Sequence, residues 1–295
     1  MEVKNKKLRN KLDYWMFVGP AFLFFIVIVI IPFLIGIYYS FTNWDGVSST
    51  VEWVGIDNFI KLFTADNNFL NSFWFTLRFT LTVLVLTNVV GFLLALLVTS
   101  YLKTQNILRT AFFIPNVIGG LILGFIWQFI LVRGIPSIGE YIPLAIFQSP
   151  WLGDAKTAFW GMVIVFVWQL SGYMMIIYIA GLQSVDESLL EAAKIDGANS
   201  VQKLFKVIIP LIVPAFTICL FLTTSMAFKV FDLNFALTGG GPFRSTESLA
   251  IHIYQEAFNY NRFGLGSAKA LIFFLIVAFI TLLQVSFTKR KEVNM

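Results

Sequence analysis

The chain has 295 residues, 58% of them hydrophobic and only 13% charged, with a formal net charge of +5. Soluble domains carry roughly 45–50% apolar and about 25% charged residues, so a single aqueous core is excluded and lipid must be the solvent for much of this surface. The cations gather at the ends of apolar runs instead of along one face, which gives no sign of nucleic-acid binding.

Cys219 stands alone inside an apolar run and leaves no disulfide to form within the chain. His252 is the one histidine, and without a Cys/His cluster no zinc site is expected. Both residues read as structural. No cofactor, metal ligand set or catalytic constellation is visible, so the chain is not expected to be an enzyme.

Six apolar runs are long enough to cross a hydrocarbon core of roughly 30 Å as helices. In chain order they are Trp15–Ser40, Phe73–Thr99, Ala111–Leu131, Ala158–Leu182, Val207–Phe231 and Ser267–Phe287. The first is too long for a signal-peptide core and reads as a retained span. The fold class is therefore an all-α polytopic membrane protein, with residues 1–295 as one domain and no internal repeat. Trp15, Trp74, Trp151 and Trp160 fall near span ends, where amphipathic rings favour the headgroup region. Pro32, Pro115, Pro210 and Pro214 interrupt or open these helices, and Pro115 is a candidate kink along a pathway.

Orientation follows from Lys and Arg. One side would hold Lys4, Lys6, Lys7, Arg9, Lys11, Lys103, Arg109, Lys194, Lys203, Lys206, Lys289, Arg290 and Lys291. The opposite side would hold Lys61, Arg133, Lys156, Arg244 and Arg262. The excess puts both termini and the loop 184–206 in the cytoplasm.

That loop is the most informative segment. Ser184 with Glu187, or Ser188 with Glu191, has capping-box spacing and predicts a helix start below the fourth span. Leu189 to Lys194 are good helix formers, Gly197 tolerates a left-handed turn, and Asn199-Ser200 predicts a second cap leading through Phe205. Two short helices joined at Gly197 would project a compact knob.

The run Glu191-Ala192-Ala193, then Asp196-Gly197-Ala198, Phe205, Ile208 and Pro210, resembles the EAA loop of ABC importer permeases. The resemblance implies a type I importer permease with six spans, in which this loop is a coupling helix docking into a cleft on an ATP-binding subunit. Glu191 would make charged contacts there, Ala192 and Ala193 would allow close approach, and Gly197 would supply the bend. Where many relatives have Ile-Pro ahead of the helix, this chain has Val185-Asp186, and Asp186 is itself a helix start signal.

Between the fifth and sixth runs lies Leu237-Thr238-Gly239-Gly240-Gly241-Pro242, an irregular turn whose glycines avoid side-chain clashes. The spacing of a phosphate-binding loop is absent, so the chain shows no nucleotide site of its own. This segment, with Phe112-Phe113-Ile114-Pro115 and Gly124-Phe125-Ile126-Trp127-Gln128, resembles carbohydrate permeases of the maltose and multiple-sugar type. That resemblance implies a second, similar permease, two ATP-binding subunits and an extracytoplasmic solute-binding protein, working together in sugar uptake at a bacterial inner membrane.

Sugars are recognised through hydroxyl hydrogen bonds and aromatic faces. Gln169 and Tyr173 share a helix face with Trp168 adjacent, and Asn88, Thr224 and Gln128 are further polar candidates for a substrate pathway. Interhelical hydrogen bonding is the rival role for each polar residue. Lys229 and Asp232 are spaced to pair on one helix face, whereas Arg78 has no partner in helical register and would snorkel or hold an anionic sugar.

An ion-coupled secondary transporter of a small polar solute is the alternative. It tends to need a mid-membrane carboxylate and inverted repeats, and neither is evident. A membrane enzyme lacks its catalytic group, and a structural scaffold leaves the polar loop unexplained.

Overall fold

The computed structural model describes residues 2–64, 66–99, 104–142 and 144–289. Lys103, Arg290 and Lys291, counted above toward the cytoplasmic side, lie outside the described residues. Among the described residues the fold is helical, and extended pairing is confined to one bridge between Thr42 and Trp53.

Five helices are long and apolar enough to span a membrane, and a sixth span arises if one bent helix pair is counted as a unit. They are α1 (Tyr14–Ser40), α3 (Asn67–Thr99), α5 (Gly120–Gly139), α6 (Ala155–Gln183) and α12 (Phe263–Lys289). The bent pair is α8 (Ser200–Leu211) with α9 (Val213–Phe228), which meet at 71°. Between α1 and α3 lies the short helix α2 (Asp57–Thr64), and before α5 comes α4 (Gln105–Val117). The helices α7 (Glu187–Ile195), α10 (Asp232–Leu237) and α11 (Leu249–Tyr254) fill the connections.

Two expected spans are corrected. The run Ala111–Leu131 is not one helix. Pro115 has no amide hydrogen to donate, Ile118 turns extended (ψ 126°), and the spanning helix restarts at Gly120. The run Val207–Phe231 is likewise broken. Ile212 leaves the helical region just after Pro210 in the last turn of α8, and Pro214 sits in the first turn of α9, where a missing N–H costs nothing.

The chain folds as two compact units, residues 1–65 with 253–272 and residues 66–252 with 273–295. In the second unit, α3, α6 and α9 share a core that includes Phe79, Val83, Met174, Tyr178 and Cys219. Between helices in lipid there is no hydrophobic drive to associate, so close fit carries the packing. A side chain at Gly172 would overlap the Phe112 carbonyl on α4, and one at Gly91 would meet the Met174 side chain and the Ser171 carbonyl on α6.

In the first unit, Asn58 of α2 donates to the carbonyls of Ser40 (3.0 Å) and Thr42 (2.8 Å). It thereby satisfies carbonyls left open at the end of α1. The Gly264 amide donates to Trp44 O (2.8 Å), and Gly264 has no room for a side chain beside the Thr42 carbonyl. Glu256 is buried and receives Lys269, itself fully buried, together with Arg262 at 3.3 Å. Lys269 lies within the last spanning helix, and its pairing with Glu256 explains why a buried cation is tolerated there.

Candidate functional site: an exposed helical hairpin and a transmembrane cavity

The hairpin after α6 forms as the sequence suggests, but its start differs. Asp186 caps α7 by accepting from the Ser188 amide (2.9 Å), and this hydrogen bond holds its carboxyl below the usual range. Ser184 instead closes α6, with its hydroxyl donating to Gly181 O (2.8 Å), so neither predicted serine capping box forms. Aspartate is the stronger cap here because it accepts as a charged group next to the positive end of the helix.

α7 ends in a paired closure. The Ala198 amide donates to Ala193 O (2.9 Å) and the Gly197 amide to Lys194 O (3.1 Å), with Gly197 at φ +77°. Asn199 and Gln202 then form a reciprocal capping box that starts α8. Glu191, Ala192, Asp196 and Gly197 are exposed, while Ala193 and Ala198 are half-buried. Apolar side chains flank the joint: Ile195 is 86% exposed, Val201 64% and Phe205 62%. The motif had singled out Phe205 but not Ile195 or Val201. Their signal was an isoleucine and a valine placed in an otherwise polar loop.

In the membrane-spanning part of the second unit, a cavity of about 470 Å³ is lined by residues that include Phe112, Pro115, Trp160, Val167, Trp168 and Ser171. Of the predicted pathway residues, Trp168 lines this cavity, with its ring edge-on to Trp127 at 5.4 Å. Gln169 is committed elsewhere. Its amide donates to Ile118 O (3.1 Å), where the break after α4 leaves a carbonyl without a helical partner. Tyr173 is half-buried beside the Phe113 ring.

Asn88 is buried among neighbouring helices. It receives the Tyr178 hydroxyl (2.7 Å) and donates to Thr223 Oγ1 (3.2 Å), so the structure uses it to join α3, α6 and α9. Thr223, which the sequence did not single out, takes this contact, while the neighbouring Thr224 hydroxyl is buried without a partner among the described residues. Gln128 is exposed and donates weakly to Leu237 O (3.4 Å). Arg78 is exposed, and its guanidinium lies 4.3 Å from the centre of the Phe159 ring. The expected Lys229–Asp232 ion pair is a correction. Among the described residues no such pair exists, because α9 ends at Phe228 and α10 starts at Asp232, so the two side chains do not share a helix face.

The glycine loop is built around Asn234. Its amide donates to Thr246 O (2.9 Å) and its oxygen accepts from the Ser248 amide (3.2 Å). Gly239 (φ +57°) and Gly240 (φ +87°) take the left-handed turns, and Gly241–Pro242 is cis. Phe243 stands fully exposed at the tip. Behind it the Glu247 carboxylate receives Arg244 and lies 2.7 Å from His252 Nδ1, while His252 Nε2 lies 3.6 Å from Asp66. Burial opposes ionisation of Glu247, but the hydrogen bonds from His252 and Arg244 outweigh it and hold its carboxyl below the usual range. His252 is buried in this cluster.

Spanning helices, a membrane-level cavity and a solvent-exposed hairpin define a multi-pass transport permease. Residues 87–293 match the family described as binding-protein-dependent transport system inner membrane component, and the chain belongs to that family. It is 48% identical over 295 residues, all of both chains, to a probable starch degradation products transport system permease protein, AmyD, of Thermoanaerobacterium thermosulfurigenes. It is 34% identical to the multiple sugar-binding transport system permease protein MsmF of Streptococcus mutans, covering 98% of this chain and 99% of that one. Among solved structures, a bacterial alginate ABC transporter in complex with its alginate pentasaccharide-bound periplasmic protein matches with a TM-score of 0.84 at 19% identity, over 98% of this chain and 99% of that one. The chain is therefore an ABC importer permease subunit of the inner membrane.

Proposed function

We propose that the chain takes up an oligosaccharide of the kind released from starch, acting as one permease domain beside a second, similar permease. Two ATP-binding subunits on the cytoplasmic side would drive it, and an extracytoplasmic solute-binding protein would deliver the sugar. The observation that carries the coupling is the hairpin at Gly197. Ile195, Val201 and Phe205 are bare beside Glu191, and bare apolar side chains in water mark a surface that a protein partner covers. The substrate class is supported by the 48% identity to a permease named for starch degradation products. Both termini lie in the cytoplasm in this reading, with the glycine loop 239–242 on the outer side facing the delivery protein. Trp168 in the α6 wall is the first candidate for a sugar-facing ring, with Tyr173 near it. Gln169 and Asn88 serve the scaffold around that route, and Thr224 and Gln128 remain further polar candidates along it.

The test is ATP-dependent uptake of starch-derived oligosaccharides by proteoliposomes holding the four kinds of subunit. Gly197→Pro forces φ to about −65° where the joint needs φ +77°. The variant should insert and pair with the second permease, yet lose sugar-stimulated ATP hydrolysis and uptake. Uptake at the wild-type rate in that variant would sink the coupling assignment. Uptake that continues without ATP and collapses with the proton gradient would favour the ion-coupled alternative.

A further inference from the structure

In the first unit, the short helix α2 presents three distinct faces. Asn58 and Leu62 are buried. Asp57, Lys61 and Thr64 are exposed and polar. Ile56 (62% exposed), Ile60 (49%) and Phe63 (58%) are exposed and apolar. The Ile60 amide donates to Ile56 O (3.1 Å), so Ile56 belongs to the same helical spiral, and positions 56, 60 and 63 make one stripe. A bare apolar face beside a bare polar one is the pattern of a helix lying along the boundary between acyl chains and water.

Hydrogen bonds fix the depth of α2. The spanning helix α1 runs for 27 residues to Ser40, about 40 Å of helix, which matches a hydrocarbon core with its headgroup layers. Its end therefore lies among the headgroups. Asn58 donates to the carbonyls of Ser40 and Thr42, and the Val54 amide donates to Phe41 O (2.9 Å). These bonds hold α2 level with the end of α1, at headgroup depth and not in bulk water.

The stripe also continues a surface that is bare within the membrane. Ile31, Leu34, Ile35 and Tyr38 of α1 are exposed. The Tyr38 ring lies 6.0 Å from Trp53, which stacks on Phe41 at 5.3 Å, and Phe41 reaches Phe59 of α2 at 5.3 Å. An exposed tyrosine and tryptophan at this point suit the level where acyl chains give way to headgroups. The same apolar solvent that meets α1 thus reaches α2 without a break.

We infer that the Ile56/Ile60/Phe63 face of α2 is a membrane-docking surface, seated among the acyl chains of the lipid, with Asp57, Lys61 and Thr64 turned to water. Because Asn58 ties α2 to the end of α1, the docked helix sets how far α1 can slide along the membrane normal. In the orientation proposed above, the leaflet is the outer one.

The test is spin labelling of the full-length chain, purified with its partner subunits and placed in phosphatidylcholine nanodiscs. Cys219 is buried, so single cysteines introduced at Ile60, Lys61, Phe63 or Thr64, all exposed, carry the label without disturbing packing. Collisions are measured with oxygen, which concentrates among acyl chains, and with a nickel chelate that stays in water. Labels on Ile60→Cys and Phe63→Cys should be open to oxygen and closed to the chelate, at a depth of about 5–10 Å into the headgroup boundary. Labels on Lys61→Cys and Thr64→Cys should show the opposite. Equal access of the chelate to all four positions would put the stripe in water and overturn the docking surface. Shielding of the Ile60 and Phe63 labels from both reagents would show that a protein covers the stripe, and would overturn it as well.

Discussion

Asn88 shows how one polar side chain inside a span can be read two ways. Its position midway along the second span suited a sugar contact, but its amide accepts from Tyr178 and donates to Thr223. Interhelical hydrogen bonds in lipid are modest, about 0.6 kcal/mol on average and up to about 1.7. Asn88→Leu also leaves the buried Tyr178 hydroxyl without its acceptor, so a loss near the upper end, about 1.5 kcal/mol, is expected. It should appear as a lowered unfolding temperature of the purified chain. Adding Tyr178→Phe removes the orphaned hydroxyl and should restore part of the loss. A double variant that is simply the sum of the two single ones would show that the residues act separately.

At the scale of elements, helix breaks and glycine contacts matter more than span length. α4 stops after Val117, and α6 approaches it closely because Gly172 presents no side chain to the Phe112 carbonyl. Gly36 on α1 has open space where a side chain would go. Gly172→Val and Gly36→Val add the same atoms to a spanning helix, so their difference reports packing alone. Gly172→Val should cost more than about 3 kcal/mol, since backbone must move, and should reduce monodisperse protein after detergent extraction. Gly36→Val should leave that yield unchanged. Equal yields from the two variants would mean that α4 and α6 do not meet as described. The exposed hairpin belongs to the same scale. Its cap, its left-handed joint and its second capping box are each local, so Asp186, Gly197 and Asn199 could be read from a few neighbouring residues.

For the whole molecule, orientation is the property on which the proposed roles of the hairpin, toward an ATP-binding partner, and of the glycine loop, toward a delivery protein, both depend. Cys219 is buried, so a single added cysteine becomes the reporter for a membrane-impermeant thiol reagent. Ile195 and Phe243 are nearly or fully exposed and lie on opposite sides in the proposed topology. In intact cells Phe243→Cys should be labelled at once, and Ile195→Cys only after the membrane is opened. The reverse pattern would invert the topology and remove the cytoplasmic docking surface. The family assignment would stand, but the roles of the two loops would have to be exchanged.

Much of this protein follows from local rules that act on a few consecutive residues. Apolar length dictates spanning helices, the Asp, Gly and Asn signals dictate the hairpin, and the Glu191 to Pro210 motif pointed to the importer permeases, as the match over residues 87–293 bears out. Tertiary structure decided what depends on neighbours far along the chain. It set Gln169 on the Ile118 carbonyl, gave Lys269 its buried carboxylate, kept Lys229 and Asp232 off a common helix face, and turned Ala111–Leu131 into a short helix and a displaced span. A buried polar or charged group takes whatever partner the fold brings within reach. Helical spacing names only the candidates on its own helix, and the partner that satisfies the group often lies on another.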